Sequence, residues 1–353
     1  MPTVGTTSGT EANLLGDEQF LRRVAYLYHE DGHSQEAIAE MVSCSRQTIS
    51  KALQKAKDKG IVRTSIVPDL REGYLRKLSR DARRSLGLDD VVLVAGRNFD
   101  ALSSDATLDE VVDEIGRAAA EYLDQMLTDT DTLAVSGGRT FMRTVVSHLN
   151  PSRALPHLRV VSMIGFVEAR TSFGDANLVA YDLAQAYGAS HAWYCIPALM
   201  PHTPLVSAEA IRGLNANLSI TREAMELSEG ANVYMMGLWT PHTNDEIVMR
   251  GILRRDQIEA LESYHPIVDI NHWVFDADGR CINELMDPPP YHLTGFAIPS
   301  LKERIREGAQ VILVAGGGPS YVPAIRAALK AGLANILVTD HITAYQLLES
   351  DHS

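Results

Sequence analysis

Apolar residues recur at helical spacing in three short segments near the N-terminus. From Asp17 onward they fall three and four positions apart, which predicts an amphipathic helix beginning at Asp17. Ser34 and Ser45 each precede another such segment, and serine is a favoured N-cap because its hydroxyl accepts a hydrogen bond from a backbone N–H of the first turn. Gly60 ends the third segment, and the apolar run at 61–67 predicts a strand or wing behind it. The pattern predicts a compact three-helix module.

The third of these helices divides into an apolar face and a polar face. Ile49, Ala52 and Leu53 are expected to face inward, whereas polar and basic residues near the helix start are expected to face outward. A recognition helix uses such side chains to contact base edges and phosphates in the major groove. We therefore predict a winged helix-turn-helix DNA-binding domain; a three-helix bundle with a merely solvated polar face is the alternative. The predicted DNA-binding residues are Ser34, Gln35, Ser45, Arg46, Gln47, Thr48, Ser50, Lys51 and Lys55.

The remaining chain alternates between short apolar runs and longer amphipathic runs. This alternation predicts an α/β domain with a doubly wound parallel sheet and helices on both faces. The predicted strands are 91–95, 132–136, 159–163, 192–196, 232–236, 311–315 and 336–338, and the predicted helices include 108–127, 139–149, 177–187 and 322–331. The predicted organisation is a disordered tail at 1–16, the DNA-binding domain at 17–67, a linker helix at 68–90 and a large α/β domain at 91–353, to which the family resemblance described below assigns effector binding and oligomerisation.

Glycine-containing loops follow four of the predicted strands. They are the segments 136–140, 165–166, 237–238 and 316–320. Small molecules bind such sheets at the carboxyl ends of the strands, where glycine lets the backbone approach a ligand closely. Tight strand-to-helix turns also need glycine, but four loops at equivalent places predict a converging pocket.

The charge is distributed unevenly. The chain has 32 basic and 45 acidic residues, a formal net charge of −13. Residues 44–66 nevertheless carry six basic residues, Arg46, Lys51, Lys55, Lys57, Lys59 and Arg63, against the single acid Asp58. A basic stripe on an acidic body favours one orientation of approach to DNA.

Other classes of protein are disfavoured by composition and motif. The three cysteines are widely separated, which argues against a disulfide framework or a zinc site and is typical of a reducing cytoplasm. The sequence has no apolar run near the ~20 residues of a membrane span, so no membrane association is expected. It has neither a complete nucleotide-binding motif nor a nucleophile elbow, and we expect no cofactor and no metal.

Taken together, these segments resemble the SorC branch of the SorC/DeoR family of sugar-responsive transcriptional regulators. The resemblance runs from about residue 19 to 348 and is carried by SQEAIA at 34–39, SRQTIS at 45–50, AKDKGIV at 56–62, SGGRT at 136–140, AGGG at 315–318 and VTDHITA at 338–344. It implies an effector domain similar to sugar-phosphate isomerases of the glucosamine-phosphate deaminase type. It also implies assembly into homodimers or homotetramers, and repression or activation of a carbohydrate or polyol operon under the control of a sugar, polyol or sugar phosphate.

The resemblance also places the effector site. The implied effector-binding residues are Ser136, Gly137, Gly138, Arg139, Thr140, Gly165, Phe166, Gly237, Asp269, Gly317, Gly318 and Tyr321. Members of the family usually carry a lysine a few residues after the last glycine pair, and Tyr321 stands nearest that position here. Arg139 is a candidate replacement for that charge, but the change favours an unphosphorylated effector.

An enzyme is the alternative from another class. A sugar-phosphate isomerase or deaminase with an appended DNA-binding module needs a carboxylate or histidine beside the substrate carbon. Asp269, Asp340 and His341 are available, but they form no paired acid–base motif in the sequence. A binding pocket without catalysis is therefore expected. A scaffold whose helix-turn-helix does not bind DNA is a third possibility.

Overall fold

The computed structural model describes residues 14–29, 31–59, 61–62, 70–96, 105–138, 140–166, 175–203, 206–240, 255–289 and 291–349. The chain divides into two compact units, Met1–Leu70 and Arg71–Ser353.

The N-terminal unit contains three helices around a small core. They are α1 (Glu18–His29), α2 (Gln35–Met41) and α3 (Arg46–Asp58). The hydroxyl of Ser34 accepts a hydrogen bond from Ala37 N at 3.2 Å, and that of Ser45 accepts one from Thr48 N at 3.1 Å, so both predicted N-caps are present. The core is formed by Leu21, Val24, Ala25, Ile38, Ala39, Ile49, Ala52, Leu53 and Ala56. The predicted wing lies largely at 63–67, outside the described residues.

The predicted linker helix is α4 (Leu70–Ser85), which ends five residues before the predicted boundary at residue 90. Its second half packs on the large domain: Ala82 is fully buried in the main core, and the Ser79 hydroxyl donates to Val91 O at 2.5 Å. This half is therefore anchored to the effector domain and does not act as a free linker.

A seven-stranded sheet forms the centre of the large unit. Its strands are β1 (Asp90–Val94), β2 (Thr132–Val135), β3 (Arg159–Ser162), β4 (Ser190–Ala192), β6 (Val233–Gly237), β10 (Gln310–Val314) and β11 (Ile336–Asp340). Every neighbouring pair is parallel, in the order β1-β11-β10-β6-β2-β3-β4. The predicted helices of this unit are α5 (Asp105–Met126), α6 (Phe141–Ser147), α7 (Ala176–Tyr187) and α13 (Tyr321–Lys330). The doubly wound parallel fold is confirmed.

The prediction for the fourth strand was wrong in position. The strand lies at Ser190–Ala192, whereas 192–196 was expected from its apolar residues. Tyr194 and Ile196 are buried, but they lie beyond the edge strand, where Tyr194 OH donates to Thr294 O. Tyr194 and Ile196 are therefore apolar because they pack outside the sheet, and their pattern does not mark a strand.

Several short elements lie outside the main alternation. Two antiparallel ribbons pair β5 (Leu199–Pro201) with β9 (Tyr291–Leu293) and β7 (Val268–Ile270) with β8 (Trp273–Phe275). The further helices are α8 (Ala208–Asn217), α9 (Ser219–Glu229), α10 (Arg255–Glu262), α11 (Ile282–Leu285), α12 (Leu301–Arg306) and α14 (His341–Glu349), with a 3-10 turn at Ile298–Ser300. None of these helices or ribbons was among the predicted elements.

The strand order creates a switch point between β2 and β6. From β2 the chain proceeds outward through β3 to β4, whereas from β6 it proceeds through β10 and β11 toward β1 at the opposite edge. Connections that leave two adjacent strands in opposite directions open a crevice at their carboxyl ends, which is the usual ligand site of such sheets. Among the described helices, none is both long and apolar enough to cross a bilayer.

Candidate effector pocket

A small pocket of about 30 Å³, partly open to solvent, lies at this switch point. Three strand ends and the β7–β8 turn contribute its walls. The lining residues are Gly137, Gly138, Ile164, Gly237, Trp239, Asp269, Asn271 and His272. This volume is well below the about 300–1,000 Å³ of typical small-molecule sites.

The loop after β2 is held by one serine. The hydroxyl of Ser136 donates to Gly137 O at 2.8 Å and accepts from Gly237 N at 3.2 Å, so it ties the ends of β2 and β6 together. Gly138 has a φ of +142°, a backbone conformation that residues other than glycine rarely adopt. Ser136 is 1% exposed, so its buried hydroxyl has the structural role of connecting the two loops.

The opposite wall is the β7–β8 turn. Asp269 and Trp239 exchange two backbone hydrogen bonds, each of 2.9 Å, and Asp269 Oδ1 accepts from His272 N at 2.7 Å. Asn271 and His272 both have positive φ, 53° and 66°. Behind the turn, Tyr291 OH donates to His272 O at 2.8 Å. The turn is therefore fixed on both sides in a backbone conformation that is uncommon for these residues.

Two buried polar atoms in this turn lack partners. Among the described residues, no group hydrogen-bonds with Asn271 Nδ2 or with His272 Nδ1. His272 Nδ1 is 3.8 Å from Asp269 Oδ2, beyond hydrogen-bond distance. Burial lowers the pKa of His272, with the Asp269 carboxylate acting in the opposite direction. An unpaired buried polar group costs about 1–3 kcal/mol, so a ligand that bonds to these atoms would recover that free energy.

The residues assigned to the effector site have several different locations. Gly137, Gly138, Gly237 and Asp269 line the pocket. Gly165 lies beside it in contact with a neighbouring chain segment: a Cβ added there would lie 1.7 Å from Ile196 O.

Phe166 and Thr140, two other assigned residues of the β2 and β3 loops, are not among the described lining residues. Phe166 is 43% exposed. Thr140 directly precedes α6, and its carbonyl accepts from Thr144 N. Arg139 lies outside the described residues.

The glycine loop after β10 lies further along the sheet edge and is not among the residues lining this pocket. Asp340, at the end of β11, accepts hydrogen bonds from Gly317 N at 2.7 Å and from the Thr343 hydroxyl at 2.6 Å. Gly317 has a φ of +85°, and a Cβ there would contact Val111 and Val112 of α5. The structure thus places Gly317 against the Asp340 carboxylate, whereas Gly318 O accepts a hydrogen bond from Tyr321 N at 3.1 Å.

Tyr321 connects that loop to the pocket through one residue. Its ring packs edge-on against Phe141, with 5.4 Å between ring centroids, and burial raises the pKa of its hydroxyl. Phe141 is in turn beside Gly237, where an added Cβ would lie 3.4 Å from Phe141 Cβ. Tyr321 is therefore one side chain removed from the pocket wall.

Asn271 and His272 were missed as site residues. A sequence signal exists, because Asp269, Asn271 and His272 follow one another closely after a short buried strand. That signal is weak, since the same residue types are favoured in ordinary turns.

The predicted DNA-binding residues lie on α2 and α3 or at their caps. Most are exposed or partly exposed: Ser34, Gln35, Ser45, Arg46, Gln47, Ser50, Lys51 and Lys55. Arg46 Nε forms an ion pair with Glu36 Oε1 at 2.7 Å.

The expectation that Thr48 faces outward was wrong. Thr48 is 4% exposed, and its hydroxyl lies 2.8 Å from Ser45 Oγ. Its side chain shares the inward side of α3 with Ala52 and Ala56, each four residues further along the helix. Thr48 therefore stabilises the start of α3 from within the core.

Comparison with known proteins identifies the class. Residues 74–349 match the family described as the putative sugar-binding domain, and the chain belongs to this family. It is 26% identical over 334 residues to the deoxyribonucleoside regulator of Bacillus subtilis, covering 94% of this chain and 97% of that protein. It is 25% identical to the transcriptional regulator LsrR of Escherichia coli O139:H28, covering 99% of this chain and all of the relative.

Solved structures show the same fold. The full-length sorbitol operon regulator SorC from Klebsiella pneumoniae superimposes with a TM-score of 0.65 at 22% identity, covering 94% of this chain and 98% of that one. The family resemblance predicted from the sequence motifs is confirmed.

Proposed function

We propose that this chain is a DNA-binding transcriptional regulator of a carbohydrate or polyol operon, controlled by a small sugar-like effector. The observation that carries the proposal is the pocket at the β2–β6 switch point, with its unpartnered Asn271 Nδ2 and His272 Nδ1. Full-length relatives named as transcriptional regulators support it, as does the sugar-binding domain family.

Operator binding is assigned to the N-terminal unit. Arg46, Lys51 and Lys55 are exposed on α3, and Gln47 and Ser50 stand beside them with hydrogen-bonding groups. Exposed cations on a recognition helix supply phosphate contacts, and neutral polar groups read base edges. The assigned boundaries are 17–67 for DNA binding and 91–353 for effector binding and assembly, with α4 between them.

Regulation is proposed to follow from a shift in populations. A cytoplasmic homodimer or homotetramer spaces its recognition helices to match operator half-sites, and the effector favours one arrangement of subunits over another. The effector changes DNA affinity only by its difference in affinity for the two arrangements, typically ~1–3 kcal/mol. Release of DNA, and hence repression relieved by the effector, is the proposed direction.

The pocket is proposed to bind without catalysis. Asp269 and His272 are an acid and a base on one wall, which is the feature that most favours the enzyme alternative. The Asp269 carboxylate, however, already accepts a hydrogen bond from the His272 backbone, and the histidine side chain is almost completely buried. Isomerase or deaminase turnover of sugar phosphates, lost in Asp269→Asn, would contradict this assignment.

The DNA-binding assignment is tested with the full-length protein and operator duplexes selected from a random library. Fluorescence anisotropy should show that Lys51→Ala weakens binding and lowers the slope of log K against log[salt] by about 1, as expected for one lost phosphate contact. Lys302→Ala, an exposed lysine of the large domain, serves as the control. Unchanged affinity and slope for both Lys51→Ala and Arg46→Ala would refute α3 as the recognition helix.

A further inference from the structure

We infer that the outward face of α4 is a second DNA contact, which binds operator phosphates whatever the base sequence. The face is formed by Lys77, Arg80, Arg83 and Arg84, all of them exposed, and is called here the α4 basic face. This inference rests on the proposed function and adds a DNA-binding surface outside the N-terminal unit.

Helical spacing puts the four cations on one side of α4. Successive residues of an α-helix are rotated by about 100°, so positions 77, 80, 83 and 84 fall within a sector of about 120°. Arg76 shares that sector but takes part in another interaction within the chain, and the exposed acid Asp81 lies just outside it. The α4 basic face therefore concentrates positive charge on a chain whose formal net charge is −13.

The opposite side of α4 is held by the large domain. Ala82 is buried in the main core, Leu78 is 7% exposed, and the Ser79 hydroxyl donates to Val91 O at 2.5 Å. These residues lie about half a turn away from the α4 basic face. Because the helix is fixed from behind, its cations project from a rigid backbone, and little backbone freedom is lost when they bind.

The length and the residue types of the face match a DNA backbone. From Lys77 to Arg84 the helix rises about 10 Å. Duplex DNA carries a negative charge every ~1.7 Å of its axis, so about six phosphates lie along that length. Three of the four cations are arginines, whose guanidinium groups bind phosphate oxygens through two parallel hydrogen bonds. Stabilisation of the helix C-terminus explains cations in the last turn, Arg83 and Arg84, but not Lys77 and Arg80, which lie more than one turn before the end.

An acidic surface on a second copy of the chain is the competing occupant, and α5 carries acids that could form one. Glu114, however, already forms an ion pair with Arg117, and Asp113 Oδ1 lies 2.7 Å from His148 Nε2. The phosphates of DNA have only mobile counterions, whose release favours binding. Residues 59–69 alone separate α3 from α4 in the chain, so a duplex bound by α3 is within covalent reach of α4. DNA is therefore the better match.

The test measures operator binding by the full-length protein, using fluorescence anisotropy over a range of salt concentrations. In Arg80→Gln/Arg84→Gln, the slope of log K against log[salt] should fall in magnitude by about 2, because each phosphate contact contributes about 0.9. Affinity at about 0.1 M salt should fall at least about tenfold for the selected operator and for a scrambled duplex alike, because phosphate contacts carry no sequence information. Arg212→Gln/Arg306→Gln, which removes two exposed arginines from other helices of the large domain, is the matched control and should change neither quantity.

The oligomeric state separates DNA from a second copy as the occupant. Sedimentation velocity at the assay concentration should give the same assembly for Arg80→Gln/Arg84→Gln and for the wild type. A variant that loses DNA affinity because its assembly dissociates would show that the face binds a second copy, and the inference would fall. Should this variant fail to fold, Lys77→Gln/Arg83→Gln removes two charges from the same face and takes its place, with the same expected changes.

The inference and the proposed function fail in different ways. An unchanged salt slope and affinity in the α4 variant, together with weakened binding in Lys51→Ala, would refute the α4 contact and leave α3 as the recognition helix. Absence of salt-sensitive, sequence-selective DNA binding by the wild type would contradict the proposed function itself, and the inference with it.

Discussion

The Asp340 carboxylate is the best place to test how the effector domain is held together. Its Oδ1 accepts from the backbone N–H groups of Ile342 and Thr343, each at 3.0 Å. Its Oδ2 accepts from Gly317 N at 2.7 Å and from the Thr343 hydroxyl at 2.6 Å. One buried group therefore joins the start of α14 to the glycine loop after β10.

The substitution Asp340→Asn changes one of these two oxygens into an amide nitrogen of almost the same size. An amide nitrogen donates and cannot accept, and the Thr343 hydroxyl is the only one of the four donors that can turn to accept from it. In either orientation of the amide, at least one buried backbone N–H loses its acceptor. Leaving such a group unsatisfied costs about 1–3 kcal/mol, so we expect the free energy of unfolding to fall by about that amount.

Urea unfolding followed by tryptophan fluorescence measures this change. All three tryptophans, Trp193, Trp239 and Trp273, lie in the large domain, so the signal excludes unfolding of the N-terminal unit. Asp182→Asn is the control, because its partner Arg143 is at 3.0 Å in a half-exposed ion pair that contributes less than about 1 kcal/mol. Equal midpoints for Asp340→Asn and Asp182→Asn would refute the role given to Asp340.

Two other predictions use matched substitutions. In the same urea assay, Gly165→Ala should destabilise the large domain by at least about 1–3 kcal/mol, because the added Cβ would overlap Ile196 O. Gly213→Ala, in open space within a helix, should instead stabilise the domain by about 0.5–1 kcal/mol. An unchanged free energy of unfolding in Gly165→Ala would contradict the close approach of Gly165 to Ile196. Ser45→Ala should remove the N-cap of α3, which is worth about 1 kcal/mol, and should therefore speed hydrogen exchange of the α3 amides. Ser50→Ala, on the same helix, should not change the exchange rates. Equal exchange rates in both variants would contradict the capping role of Ser45.

The sheet could be predicted from the sequence because its strands are buried on both faces. Strands such as β6 and β11 are buried at every position, which gives continuous apolar runs that end at glycine or at a polar residue. The same runs locate the carboxyl ends, and hence Gly137, Gly138 and Gly237. Strands of three residues, such as β5 and β7, are too short to show a pattern, so the wall that β7 and its turn contribute was only partly foreseen.

The helix-turn-helix could be predicted from its caps and its apolar spacing. The error at Thr48 has a simple cause: a polar residue in the first turn was assigned outward by residue type, whereas helical phase places it with Ala52 and Ala56. The role of Asn271 and His272 depends on a left-handed turn whose hydrogen-bond partners come from distant segments, including Tyr291. Such long-range partnerships leave no local pattern in a sequence.

The central claim is that one chain couples sugar-like effector binding to operator binding, and one titration tests it most directly. Fluorescence anisotropy of a selected operator duplex is measured with the full-length protein at constant salt, with and without the tightest-binding compound from a thermal-shift screen of sugars, polyols and their phosphate esters. A change in operator Kd of roughly fivefold or more, absent in Asn271→Ala at the same ligand concentration, is the predicted result. An operator Kd that does not respond to a compound shown by calorimetry to occupy the pocket would contradict the account.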